Sequence, residues 1–156
     1  MNHNRRVLLK GTLAAGATGI AISAGLLTPK AVLAAWPKAA FEAKDVNSAL
    51  TAALGSSNAS DSADVKLKAP DIAENGAVVP VTVTSNIAGT EVISIIVAEN
   101  GTPLSASFNL GANTNGFVST RIKMGKTSDV VAVVKAGGKL YSSTKNVKVT
   151  IGGCGG

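Results

Sequence analysis

Between residues 65 and 151 the chain repeats one pattern, in which short stretches carry an apolar residue at every second position. Turn-forming residues, mostly Asn and Gly, separate these stretches. A period of two places the apolar side chains on one face of a strand. The pattern predicts a mainly β fold, an antiparallel β-sandwich of immunoglobulin-like type with about seven strands. The predicted strands occupy 65–69, 79–83, 93–97, 106–110, 118–124, 131–133 and 147–151.

One short helix is predicted ahead of the strands. Residues 38–54 carry apolar side chains at helical spacing. Pro37 suits the first turn of a helix and Gly55 suits its end. Residues 55–64 are polar and predict a linker.

Some apolar residues fall on the strand faces that point away from the predicted sandwich core. Val78, Val92 and Ile96 are examples. Either the helix at 38–54 or a partner subunit would cover such residues, and the sequence favours neither.

The N-terminus has the layout of a bacterial export signal. Arg5 and Arg6 precede a mildly apolar run over 11–27, and small residues at 31–35 suit cleavage after Ala34. The run is interrupted by glycines, whereas a membrane-spanning helix needs about 20 strongly apolar residues. We therefore expect a cleaved twin-arginine signal over 1–34, periplasmic localisation and no membrane attachment after cleavage.

Removal of the signal changes the charge balance. It leaves 11 of the 15 basic residues against all 9 acidic ones. The basic character of the precursor therefore does not indicate nucleic-acid binding. Aromatic residues for base stacking are also scarce, at 3%. The remaining length suits one domain, expected over 35–151.

Histidine is absent from the predicted mature chain, because His3 leaves with the signal. Nucleophilic sites of the Cys-His and Ser-His-Asp types need that base. Histidine is also a common zinc and copper ligand. The sequence therefore predicts neither a self-sufficient enzyme, nor a metal site, nor a cofactor.

The chain ends in Gly152, Gly153, Cys154, Gly155 and Gly156, and Cys154 is the only cysteine. Glycines on both sides predict an uncrowded, flexible arm that presents the thiol. The carboxylate at residue 156 disfavours the thiolate, so partners would have to activate the thiol.

Four features together resemble the SoxY family, the sulfur-carrier subunits of the periplasmic Sox system that oxidises thiosulfate. They are the Arg5-Arg6 signal, the segments 65–70 (VKLKAP) and 121–125 (RIKMG), and the Gly-Gly-Cys-Gly-Gly tail. The resemblance implies that Cys154 is the covalent attachment site, on a swinging arm of Gly152, Gly153, Gly155 and Gly156.

The resemblance also implies partners. A tight heterodimer with SoxZ is expected. The cytochrome SoxAX would join thiosulfate oxidatively to the thiol, and the sulfate thiol hydrolase SoxB would release sulfate. The sulfane dehydrogenase SoxCD is a further candidate partner. The chain itself would be a non-catalytic carrier.

Two other readings of the tail stay open. Ubiquitin-like carriers hold sulfur as a thiocarboxylate on a terminal glycine, but the export signal and the many strands disfavour that class. Alternatively, the chain is an exported structural or binding β-sandwich whose tail cysteine forms intermolecular disulfides.

A basic cluster is predicted near the turn that follows residue 122. Arg121, Lys123 and Lys126 would steer anionic sulfur species, dock an acidic partner, or simply form a solvated strand end.

Overall fold

Residues 37–150 fold into two β-sheets and two short helices, so the prediction of a mainly β protein is confirmed. The computed structural model describes residues 37–150. The helices are α1 (Lys38–Glu42) and α2 (Val46–Leu54). The strands are β1 (Ser60–Asp61), β2 (Val65–Lys68), β3 (Ile72–Ala73), β4 (Val79–Ser85), β5 (Thr90–Val97), β6 (Leu104–Asn109), β7 (Phe117–Ile122), β8 (Ser128–Ala136) and β9 (Lys139–Val149).

The larger sheet has the order β1-β9-β8-β5-β6, and β3 also pairs with β9. The smaller sheet has the order β2-β4-β7. The pairs within these orders are antiparallel, except that β1 and β3 run parallel to β9. The seven predicted strands therefore pair antiparallel with one another, and the parallel strands β1 and β3 were not predicted. Each has only two residues, too few to show an alternating pattern.

Valine and isoleucine side chains from both sheets form the main core. Val81 of β4, Ile95 of β5 and Val134 of β8 belong to this cluster and are fully buried. Full burial of such a side chain contributes about 1.5–3 kcal/mol. The aromatic rings of Phe108 and Tyr141 pack only at its margin.

A second cluster lies between the helices and the other face of the larger sheet. Ile96 and Val133 pack there with Leu50 of α2, and Val92 is partly buried beside them. The helical region thus covers the apolar residues on this face. Val78 is 49% exposed and remains on the surface.

The predicted single helix over 38–54 is wrong, because the chain breaks at 43–45 into α1 and α2. Ala43 is extended, with ψ of 143°. Asp45 caps α2, because its carboxylate accepts a hydrogen bond from the Ser48 backbone N–H at 2.8 Å. The apolar spacing continues across the break and therefore hides it. The predicted end at Gly55 is confirmed, with φ of 86°.

Strand β9 is longer than predicted. It begins at Lys139, directly after a turn at Gly137 and Gly138 whose φ angles are 55° and 74°. Glycine tolerates these left-handed angles, which suit a tight hairpin. Among the helices of residues 37–150, none is long and apolar enough to cross a bilayer.

Candidate functional site

Cys154 and the four glycines of the predicted arm lie outside the described residues, and so does the predicted export signal. The structure does describe the point from which the tail leaves the domain. Strand β9 ends at Val149, and Thr150 is the last described residue.

Strand β3 fixes one side of this root. It pairs in parallel with β9, with Ile72 opposite Lys148 and Ala73 opposite Val149. The Lys148 N–H donates to the Asp71 carbonyl at 3.0 Å, and the Thr150 N–H donates to the Ala73 carbonyl at 3.0 Å. Backbone hydrogen bonds therefore hold the chain in place as far as Thr150.

The other side of the root packs against the turn between β7 and β8. The Val149 N–H donates to the Thr127 hydroxyl at 3.0 Å. Gly76 lies between the root and this turn, and its carbonyl accepts from the Met124 N–H at 2.7 Å. A Cβ on Gly76 would overlap the Met124 backbone oxygen and lie 2.9 Å from Val149 Cγ1. The close packing at the root thus requires glycine at position 76.

A groove with three cations opens beside the same turn. It consists of two adjoining clefts of about 450 Å³ and 300 Å³, which share the lining residues Asn100, Thr102 and Lys123. Lys44 lines the first cleft and Arg121 lines the second. We call these clefts together the cationic groove. Its lining residues include no carboxylate.

Asn100 holds the groove wall in shape. Its side-chain Nδ2 donates to the Lys123 carbonyl at 2.8 Å, and its Oδ1 accepts from the Gly125 N–H at 3.0 Å. One amide thus ties the turn after β5 to the turn after β7. Both ends of the side chain are engaged, so Asn100 is a structural part of the groove.

The structure divides the predicted basic cluster. Lys126 forms a salt bridge with Glu99 at 2.8 Å. Within residues 37–150, the salt bridges do not involve Lys44, Arg121 or Lys123, and all three side chains are exposed. These three therefore supply the unneutralised charge of the groove.

Lys44 lies in the break between α1 and α2, and this position brings it to the groove. The next residue, Asp45, is the N-cap of α2, and the hydroxyl and backbone N–H of Ser48 both donate to its carboxylate. These bonds hold the pKa of Asp45 below its usual value of 3.8. The ionised cap at Asp45 therefore fixes the start of α2 at Val46, two residues after Lys44.

Over the part of the chain that the structure describes, no three His, Cys, Asp or Glu side chains cluster as metal ligands would. The only histidine and the only cysteine of the sequence fall outside that part.

Residues 50–154 match the family model described as "Sulfur oxidation protein SoxY". The chain belongs to the SoxY family. The matched range includes every strand of both sheets and extends to Cys154.

A solved SoxY structure agrees with this assignment. It is titled "Structure of the sulfur carrier protein SoxY from Chlorobium limicola f thiosulfatophilum" and is 48% identical to the chain. The match covers 66% of this chain and 94% of that SoxY, with a TM-score of 0.60. A second solved structure is titled "Structural basis of T cell specificity and activation by the bacterial superantigen toxic shock syndrome toxin-1" and is 9% identical to the chain. The match covers 55% of this chain and 99% of that chain, with a TM-score of 0.41. That likeness is too weak to carry an argument. No curated protein matches the chain.

Sequence reasoning missed two features beside the SoxY tail. Lys44 carries no signal in the sequence, because only the fold brings it close to Lys123. The close approach of Gly76 to Val149 likewise depends on the fold. Asp45 is the sequence signal for the helix break, because Asp is a common N-cap residue and stands directly before α2.

Proposed function

We propose that the chain is a covalent sulfur carrier in thiosulfate oxidation and holds its intermediates on the Cys154 thiol. The family match that extends to Cys154, together with the 48% identical SoxY sulfur carrier, supports this role most directly. The chain itself would be non-catalytic and would present the bound sulfur to partner enzymes.

The carrier cycle needs an oxidation and a hydrolysis. The Cys154 thiolate and thiosulfate would join through a new S–S bond and give up two electrons to a cytochrome partner, SoxAX. Water would then cleave the terminal S–S bond of Cys–S–S–SO3⁻, which yields sulfate, two protons and a persulfide. SoxB would perform this hydrolysis, and SoxCD would oxidise the remaining sulfane sulfur.

The proposed architecture follows the same assignment. Residues 1–34 would be a cleaved twin-arginine signal that delivers the chain to the periplasm. Residues 35–151 would form an immunoglobulin-like β-sandwich with its helical region, in a heterodimer with SoxZ. Residues 152–156 would form the swinging arm, with Gly152, Gly153, Gly155 and Gly156 around the thiol.

Replacing the thiol tests the carrier role. The Cys154→Ser chain should fold normally, because the described domain makes its contacts without residue 154. Thiosulfate-dependent cytochrome reduction in a mixture with the partner enzymes should fall to background. Stability and turnover are both measured on the same preparation.

A relocated thiol is the matched control. Thr144 is exposed on β9, so Cys154→Ser/Thr144→Cys restores one accessible thiol at a different place. The double variant should remain inactive. Full turnover by Cys154→Ser, or rescue by the thiol at 144, would contradict the proposal and favour a structural role for the tail.

A further inference from the structure

The cationic groove has the chemistry of an oxyanion site. Lys44, Arg121 and Lys123 line it without a carboxylate among the lining residues, and the nearby Glu99 is occupied by Lys126. Exposed ammonium and guanidinium groups with free donors bind sulfonate and sulfate oxygens through charge-assisted hydrogen bonds. The carrier cycle described above produces such a group at the end of the tail.

The groove lies close to the root of the tail. A Cβ on Gly76 would meet both the Val149 side chain and the Met124 backbone, so these two groups lie next to each other beside Gly76. Lys123 and Gly125, which flank Met124 in the chain, line the groove. The end of β9 therefore lies directly beside the backbone that forms the groove wall.

The tail is long enough to return to this wall. Cys154 is four residues beyond Thr150, which allows a span of at most about 14 Å at 3.6 Å per residue. The disulfide and sulfonate of a bound thiosulfonate add further length. An anion on Cys154 can therefore reach cations beside Met124 while the domain stays unchanged.

We propose that the cationic groove binds the terminal sulfonate of the thiosulfonate carried on Cys154, so that the loaded tail rests against its own domain. This inference rests on the proposed carrier function. The empty thiol is uncharged when protonated and gains no such attraction. Hydrolysis removes the three sulfonate oxygens and with them the groups that the groove binds. Loaded and unloaded tails would thus be held differently.

Chemical loading allows a test without any partner enzyme. Tetrathionate reacts with the Cys154 thiolate to give Cys–S–S–SO3⁻ and releases thiosulfate. Methyl methanethiosulfonate gives the uncharged Cys–S–S–CH3 and releases methanesulfinate. The two products differ in the charge at the end of the tail, and neither preparation depends on the carrier role in the cell.

Amide NMR of the chain from residue 35 to 156 gives the direct readout. The sulfonate adduct should shift the amide signals of Asn100, Gly101 and Lys123 relative to the reduced chain, and the methyl adduct should not. The shifts should disappear in Lys44→Gln/Lys123→Gln. They should persist in Lys66→Gln/Lys68→Gln, the control, because these exposed lysines on β2 lie outside the groove.

Release by a neutral thiol gives a second readout. Dithiothreitol displaces thiosulfate from the loaded cysteine, and release should be about threefold or more faster in the Lys44→Gln/Lys123→Gln chain than in the wild type. Raising salt from about 20 mM to 500 mM should speed release from the wild type more than from a loaded peptide of residues 150–156, because salt screens the groove as well as the repulsion between the dithiothreitol thiolate and the sulfonate. The salt arm needs no variant and so does not depend on folding of the substituted chain.

The last comparison uses free thiosulfate in place of the group tethered to Cys154. Thiosulfate added to the Cys154→Ser chain should shift the same amides only at millimolar concentration, because the tether raises the local concentration of the bound group. Saturation at micromolar thiosulfate would identify a site for free anion and overturn the proposal. Equal shifts from both adducts, or release rates that ignore the lysines and salt, would overturn it as well. These outcomes do not depend on whether Cys154→Ser is active with the partner enzymes, so failure of the groove proposal and failure of the carrier proposal can be distinguished.

Discussion

At the scale of single residues, Gly76 has the strictest requirement on side-chain size near the tail. Gly76→Ala should destabilise the domain by about 1–3 kcal/mol, because the new methyl group must displace the Met124 backbone or the end of β9. Urea unfolding followed by circular dichroism measures the change in free energy.

A second glycine gives the matched control for that substitution. Gly101 has no heavy atom within 4 Å of the position of an added Cβ. Gly101→Ala should therefore change stability by no more than about 0.5 kcal/mol. Equal changes in the free energy of unfolding for the two substitutions would show that crowding at the root does not cause the effect of Gly76→Ala.

At the scale of elements, the ionised Asp45 cap sets the start of α2. The pKa of Asp45 is lowered by the two donors of Ser48, so its contribution to stability is fully present above the usual value of 3.8 and is lost as pH falls through the lowered pKa. Asp45→Ala should lower the Tm near neutral pH. The difference from the wild type should be constant near neutral pH and should shrink as pH falls below the usual value of 3.8 and through the lowered pKa.

Asp45→Asn is the control for the charge. Asn caps helices well but does not titrate, so this variant should retain more stability than Asp45→Ala at every pH. Because neither variant has a titrating group at position 45, the difference from the wild type should change with pH in parallel for the two variants. Differences that do not change with pH would mean that the carboxylate of Asp45 does not carry the effect.

The strands that could be predicted from the sequence are those that build their own alternating face. Seven of them were identified because β2 and β4 to β9 carry that pattern, mostly through Val and Ile and in β6 through Ala106 and Phe108. The two-residue strands β1 and β3 have no pattern of their own and exist because β9 offers backbone partners. The role of Cys154 stays a prediction from its glycine neighbours, because it lies outside the described residues, whereas the cationic groove depends on segments that the fold alone brings together.

At the scale of the whole molecule, the larger sheet is shared by two cores. Ile93 and Ile96 lie on opposite faces of β5, one against the smaller sheet and one beneath the helices, and both are fully buried. Ile93→Ala and Ile96→Ala should each cost about 2–5 kcal/mol. Both should shift one cooperative thermal transition, since β5 and β8 contribute to both clusters.

Ile72→Ala is the matched exposed control, because this side chain is 55% exposed on β3. It should leave the Tm almost unchanged. If calorimetry of Ile96→Ala resolves a separate transition at lower temperature, the domain does not unfold as one cooperative unit, and the helices detach on their own.

The short strands β1 and β3 have a consequence for how two chains can associate. Both lie along the outer edge of β9 and take up backbone hydrogen-bonding groups near each end of its paired region. A second chain joined through a Cys154–Cys154 disulfide would find both ends of that edge occupied and could not pair along the full length of β9. Such a cross-linked pair would be held by its disulfide without a continuous strand along β9, and a reductant would separate the two chains.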